Sequence, residues 1–95
     1  MITRIVKLSF HPEHIEEFIQ MFKETQSKIE NSPGCNSVRL MRDVNQPNQF
    51  FTYSKWDSED DLNNYRHSDL FITTWTRTKQ WFNDKPAAWS IQEAY

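Results

Sequence analysis

The feature that most constrains this chain is the order in which its hydrophobic period changes. Residues 2–10 alternate. Ile2, Val6, Leu8 and Phe10 fall on one face and Thr3, Ile5, Lys7 and Ser9 on the other, with Arg4 interrupting the first face near its solvent end. From Pro12 the period lengthens. Ile15, Phe18, Ile19, Phe22 and Ile29 form one stripe at helical spacing, and the acidic and basic residues between them mostly take the other side. Pro12 suits a helix start, where its fixed φ and missing N–H do no harm. Asn31-Ser32-Pro33-Gly34 ends this helix, and Gly34 is the only glycine in the chain.

The second half repeats the theme. Residues 35–44 read as a strand with Val38 and Leu40 on one face and Arg39 and Met41 on the other. Asn45 to Asn48, around Pro47, is a polar turn, and residues 49–56 form the most aromatic strand. There Phe50, Thr52, Ser54 and Trp56 alternate with Phe51, Tyr53 and Lys55. Ser58 caps a short helix whose first turn holds Glu59, Asp60 and Asp61. Ser68 or Asp69 caps a longer one carrying Leu70, Phe71, Thr74, Trp75, Thr78, Trp81 and Phe82, and Ala87 to Tyr95 form the last strand. This order predicts one α+β domain over residues 1–95. It is the ferredoxin-like split β-α-β-β-α-β arrangement with a four-stranded antiparallel sheet.

Helices cover one face of such a sheet. The other face would carry Ile5, Met41, Phe51 and Tyr53, and an apolar patch of that kind marks an interface. Face-to-face packing of two sheets in a homodimer is the expected solution. Composition points the same way. At 95 residues and 37% hydrophobic the core is thin, and aromatics, 15% of the chain, must supply much of its burial. A net charge of −2 with mixed signs leaves no basic surface for nucleic acid. The N-terminus lacks a signal layout, apolar runs are short, and one cysteine, Cys35, cannot form an internal disulfide. The expectation is a cytoplasmic protein with no membrane partner.

Several stretches then resemble a known family. Pro33-Gly34-Cys35, Pro47-Asn48-Gln49-Phe50, the run from Trp56 through Leu62 to Tyr65, and Ser68-Asp69-Leu70-Phe71 are similar to the antibiotic biosynthesis monooxygenase family. The resemblance implies a dimeric α+β barrel and oxygen-dependent oxidation of small aromatic or quinol-like compounds, often without metal, flavin or haem. Many members carry a His nine residues after the strand-three Trp, where this chain has Tyr65. The haem-degrading branch uses an Asn on strand one, a Trp on the short helix and an axial His on the long helix. The aligned residues here are Val6, Tyr65 and Trp75. Without the axial His, iron loses its protein ligand, so that route is disfavoured and no cofactor is expected.

The expected site is an apolar box with a few polar atoms. Thr52 and Trp56 project from strand three, and Phe71 and Trp75 approach from the long helix as substrate-binding residues. Ser54 joins them from the strand. Tyr65 and His67 are the acid–base candidates, since a phenol donates to a developing oxyanion and imidazole titrates in the useful range. Aromatics at helical spacing also serve simply as core. Arg4, Arg39 and Arg42 can bind an acidic substrate, although strand-surface charges are more often solvated. His11 and His14 with Glu13 and Glu17 lack a third fixed metal ligand, and Cys35 has no neighbouring His to activate it. Three functions therefore compete. They are a cofactor-independent monooxygenase, a non-catalytic binder of a small hydrophobic ligand, and an RNA-binding sheet, which the acidic balance disfavours.

Overall fold

Alternation becomes strand and the longer period becomes helix in the expected order. The computed structural model describes residues 1–95. It contains β1 (Ile2–Ser9), a 3₁₀ turn (Pro12–His14), α1 (Ile15–Glu30), β2 (Cys35–Arg42), β3 (Gln49–Trp56), α2 (Glu59–Arg66), α3 (Asp69–Lys79) and β4 (Ala87–Ile91). The four strands form one antiparallel sheet in the order β2-β3-β1-β4. This is the α+β ferredoxin-like fold. No helix is long and apolar enough to cross a membrane.

Helix α1 buries Ile15, Phe18, Met21, Phe22, Thr25 and Ile29 against the sheet. Thr25 can lie on that stripe because its hydroxyl donates back to the Met21 carbonyl at 3.0 Å. Phe10, Phe18 and Phe50 interlock beneath it, with ring centroids 4.2–5.9 Å apart. Burying each such side chain contributes about 1.5–3 kcal/mol, so this cluster anchors the sheet. Helices α2 and α3 are fixed at their starts by serines. The Ser58 hydroxyl accepts the Asp61 N–H and that of Ser68 accepts the Phe71 N–H.

Several boundaries differ from the sequence reading. Pro12 opens a 3₁₀ turn, and the α-helix begins only at Ile15. The second strand stops at Arg42 and the last at Ile91. Trp81 and Phe82 do not continue α3. They turn back onto β1, where Phe82 bridges Phe10 and His11 N–H donates to the Trp81 carbonyl at 3.0 Å. Strand-edge pairing has captured backbone that the helical spacing of aromatics assigned to the helix.

The register places Arg4, Val6 and Leu8 of β1 beside Ser54, Thr52 and Phe50 of β3, all facing the helices. The opposite face carries rows such as Trp89–Ile5–Tyr53–Arg39. Alternation alone separates the two faces.

Candidate functional site

Between the helix-facing side of the sheet and all three helices lies a cavity of about 350 Å³. Strand β1 contributes Arg4 and Val6, β3 contributes Thr52, Ser54 and Trp56, and α1 contributes Phe18, Met21 and Phe22. From above come Leu62, Tyr65 and Arg66 of α2 with Phe71, Thr74 and Trp75 of α3. Four aromatic rings run along this wall in contact. Trp56 stacks on Tyr65 at 4.9 Å, Tyr65 meets Phe71 edge-on at 5.3 Å, and Phe71 lies parallel to Trp75 at 5.8 Å. Such offset and edge contacts hold the rings in place. Trp56 is almost wholly buried, so it is core and cavity wall together.

The polar atoms are few and unequal. The Trp56 indole N–H donates to Ser54 Oγ at 3.0 Å, and that hydroxyl in turn lies 3.4 Å from the Arg4 carbonyl. Thr78 Oγ1 donates to the Thr74 carbonyl at 2.8 Å. The Tyr65 hydroxyl makes no hydrogen bond within the protein. Burial pushes the Tyr65 phenol up to about 12, with the nearby Cys35 adding to the effect. It is therefore a neutral donor across the physiological range and not a base. Arg4 is half-buried and held below its ordinary value by burial and then by the neighbouring Arg66 charge. Arginine stays cationic under such perturbation.

Residues 1–77 match the antibiotic biosynthesis monooxygenase family. The chain belongs to that family. The antibiotic biosynthesis monooxygenase fold also accounts for its structural likenesses. One is a solved antibiotic biosynthesis monooxygenase, 17% identical, with both chains covered in full and a TM-score of 0.92. Another is a conserved protein of Methanosarcina mazei Go1, 18% identical over 98% of this chain and 93% of that one, TM-score 0.90. A third is a protein of Mycobacterium tuberculosis, 13% identical over 99% and 98%, TM-score 0.86. At such identities the likeness establishes fold. Among curated proteins, none matches this sequence.

Of the residues that sequence reasoning singled out, Thr52, Ser54, Trp56, Tyr65, Phe71 and Trp75 all line the cavity. His67 does not. It is the exposed residue closing α2, with Nδ1 2.7 Å from the Asn63 carbonyl. Leu62, Tyr65 and Arg66 share one helical face, and the next residue turns away from it. That same spacing from Leu62 could have flagged Arg66, which sequence reasoning passed over. Arg39 and Arg42 are engaged elsewhere, Arg39 with Glu30 at 3.1 Å and Arg42 with the Pro47 carbonyl at 2.7 Å. His14 bonds Glu17 at 2.9 Å and stacks near Trp81.

The lining includes no His, Cys, Asp, Glu or Lys. A haem placed here would meet no imidazole or thiolate among the lining residues, and Trp75, aligned by resemblance with the family's haem-binding His, offers an indole that does not ligate iron. These residues do not fit that group. The thiol of Cys35 lies outside the lining, and burial followed by the nearby Glu30 raises its pKa, which disfavours a nucleophilic thiolate.

Proposed function

We propose that this chain is a monooxygenase acting on a small aromatic or quinol-like compound without a dedicated cofactor, with Tyr65 as the donor to the substrate's developing oxyanion. One observation carries the reading. An aromatic-walled cavity of about 350 Å³ includes in its lining Tyr65, whose phenol has no hydrogen-bond partner in the protein. Since no carboxylate or imidazole lines the cavity, the substrate must bring an acidic C–H or O–H of its own. The proton leaves to water, the anion passes one electron to dioxygen, and the two radicals combine into a carbon-bound peroxide that takes a proton back from water to become the hydroperoxide. Loss of water then leaves a new carbonyl. One oxygen atom ends in the product and one in water, with both further electrons drawn from the substrate. Trp56, Phe71 and Trp75 hold the planar ring and exclude water, while Tyr65 stabilises the anion as charge develops.

The test is oxygen uptake with an anthrone such as dithranol, measured against its uncatalysed oxidation. The expected result is one dioxygen consumed per quinone formed. Tyr65→Phe should lower kcat by about 10²-fold with little change in KM. The absence of a lining base favours a second reading, a non-catalytic binder of a small hydrophobic ligand. Saturable binding without turnover in air would select it, and neither binding nor uptake would sink both.

The same proposal includes a partner. Ile5, Phe51 and Tyr53 on the outer sheet face are half-buried, and Met41, Trp89 and Ile91 beside them are about half exposed. A second copy packed sheet to sheet is the simplest cover for this patch.

A further inference from the structure

We propose that Arg4 and Arg66 form an anion-recognising rim, so that the cavity's ligand is an aromatic acid with its ring inside and its carboxylate at the rim. This rests on the reading of the cavity as a small-molecule site and adds the ligand's charge. The two guanidinium groups are the only charged side chains in the lining. The chain as a whole carries −2, yet no Asp or Glu approaches either arginine within salt-bridge distance. The contrast with Arg39, which found Glu30, is plain.

The geometry suits recognition more than solvation. Arg4 projects from the middle of the sheet, half-buried, and Nη1 donates to Ser90 Oγ on the adjacent strand at 3.0 Å. That bond fixes one arm of the fork and leaves the other N–H groups to a carboxylate. Arg66 comes from the last turn of α2, where a cation also complements the helix dipole. Burial first, and then the neighbouring Arg66 charge, make the Arg4 cation costly where it stands. An anion between them removes that cost. A neutral ligand leaves it in place.

The test uses a matched pair of probes, 2-naphthoate and 2-naphthamide, followed by quenching of tryptophan fluorescence near neutral pH. Naphthoate should bind about tenfold or more tightly than the amide, and added salt should narrow the gap. Arg4→Gln and Arg66→Gln should each weaken naphthoate about tenfold and move the amide less than about twofold. Arg42→Gln, outside the cavity, should change neither. Thermal melts check that the variants fold, and Arg66→Gln, on an exposed helix end, carries the test if Arg4→Gln fails to fold. Equal binding of the two probes, unmoved by either substitution, overturns the anion rim and leaves the cavity reading standing. If neither probe binds, the cavity reading falls and the rim falls with it.

Discussion

At the scale of one residue, Tyr65 decides what chemistry the cavity can support. A phenol held near 12 cannot act as a base, yet it can donate to an oxyanion at any physiological pH. The same shift makes a stability prediction. Below about pH 10 both folded and unfolded chains keep the phenolic proton, and the stability it contributes is fully present. Between about 10 and 12 the unfolded chain releases that proton while the folded one retains it. Stability is therefore lost across that window, by roughly 2 kcal/mol at its end. Urea denaturation at a series of alkaline pH values should show a steeper loss in the wild type than in Tyr65→Phe. Lysine titration is common to both chains and cancels in the comparison. Identical slopes would mean that the ring is better solvated than its surroundings suggest. Near neutral pH the substitution should cost little, since the hydroxyl bonds no protein group.

At the scale of elements, the junction between Gly34 and α2 locks the cavity's roof to the sheet. Gly34 has φ +80° and is the one residue in the left-handed region. Its carbonyl accepts the Asp57 N–H at 2.8 Å, and a Cβ there would fall on the Asp61 side chain. Gly34→Ala should cost about 2 kcal/mol or more, a fall in Tm of roughly 10 °C. Pairing it with Asp61→Ala should recover only the part of the clash that the carboxyl group makes, because the Asp61 Cβ also lies in the way, and calorimetry of the double variant measures that part. Elements of this kind were largely legible in the sequence. The glycine, the serine caps and the period changes each act locally, and their residues fell where the sequence placed them. The faces of the strands followed from alternation, which is why Thr52, Trp56, Phe71 and Trp75 came to one wall. What failed was nonlocal or angular. Trp81 and Phe82 left the helix because β1 offered them backbone partners. His67 is a candidate for its imidazole chemistry alone, which carries no angular information, whereas one residue of helix turns a side chain by about 100°. Alternation could not separate Arg4 from Arg39 and Arg42 as a candidate for an acidic substrate, because only the pairing of strands shows that its neighbours on β3 and β4 are the serines Ser54 and Ser90.

At the scale of the whole molecule, the sheet divides two tasks between its faces. The helix side encloses the cavity, and the outer side presents a row, Trp89–Ile5–Tyr53–Arg39, that no element of this chain covers. Trp89 stays 48% exposed and Ile91 49%, too much apolar surface for a small core to leave to water without compensation. Pairing with a second copy buries about 800 Å² on each partner if the interface is of ordinary size. That burial would add stability through mass action, so Tm should rise with protein concentration and sedimentation should give twice the chain mass. Tyr53→Glu sets a carboxylate in the middle of the row, where two copies related by a twofold axis bring two such charges into one dry seam. The variant should sediment as a monomer with unchanged far-ultraviolet circular dichroism, because Tyr53 contributes nothing to the buried core. Its Tm should lose the concentration dependence. Since the cavity opens on the other side of the sheet, naphthoate affinity should persist in the monomer. A wild-type chain that sediments as a monomer at micromolar concentration would end the pairing argument. A monomeric Tyr53→Glu variant that also loses naphthoate would show instead that the two faces are coupled through the strands they share.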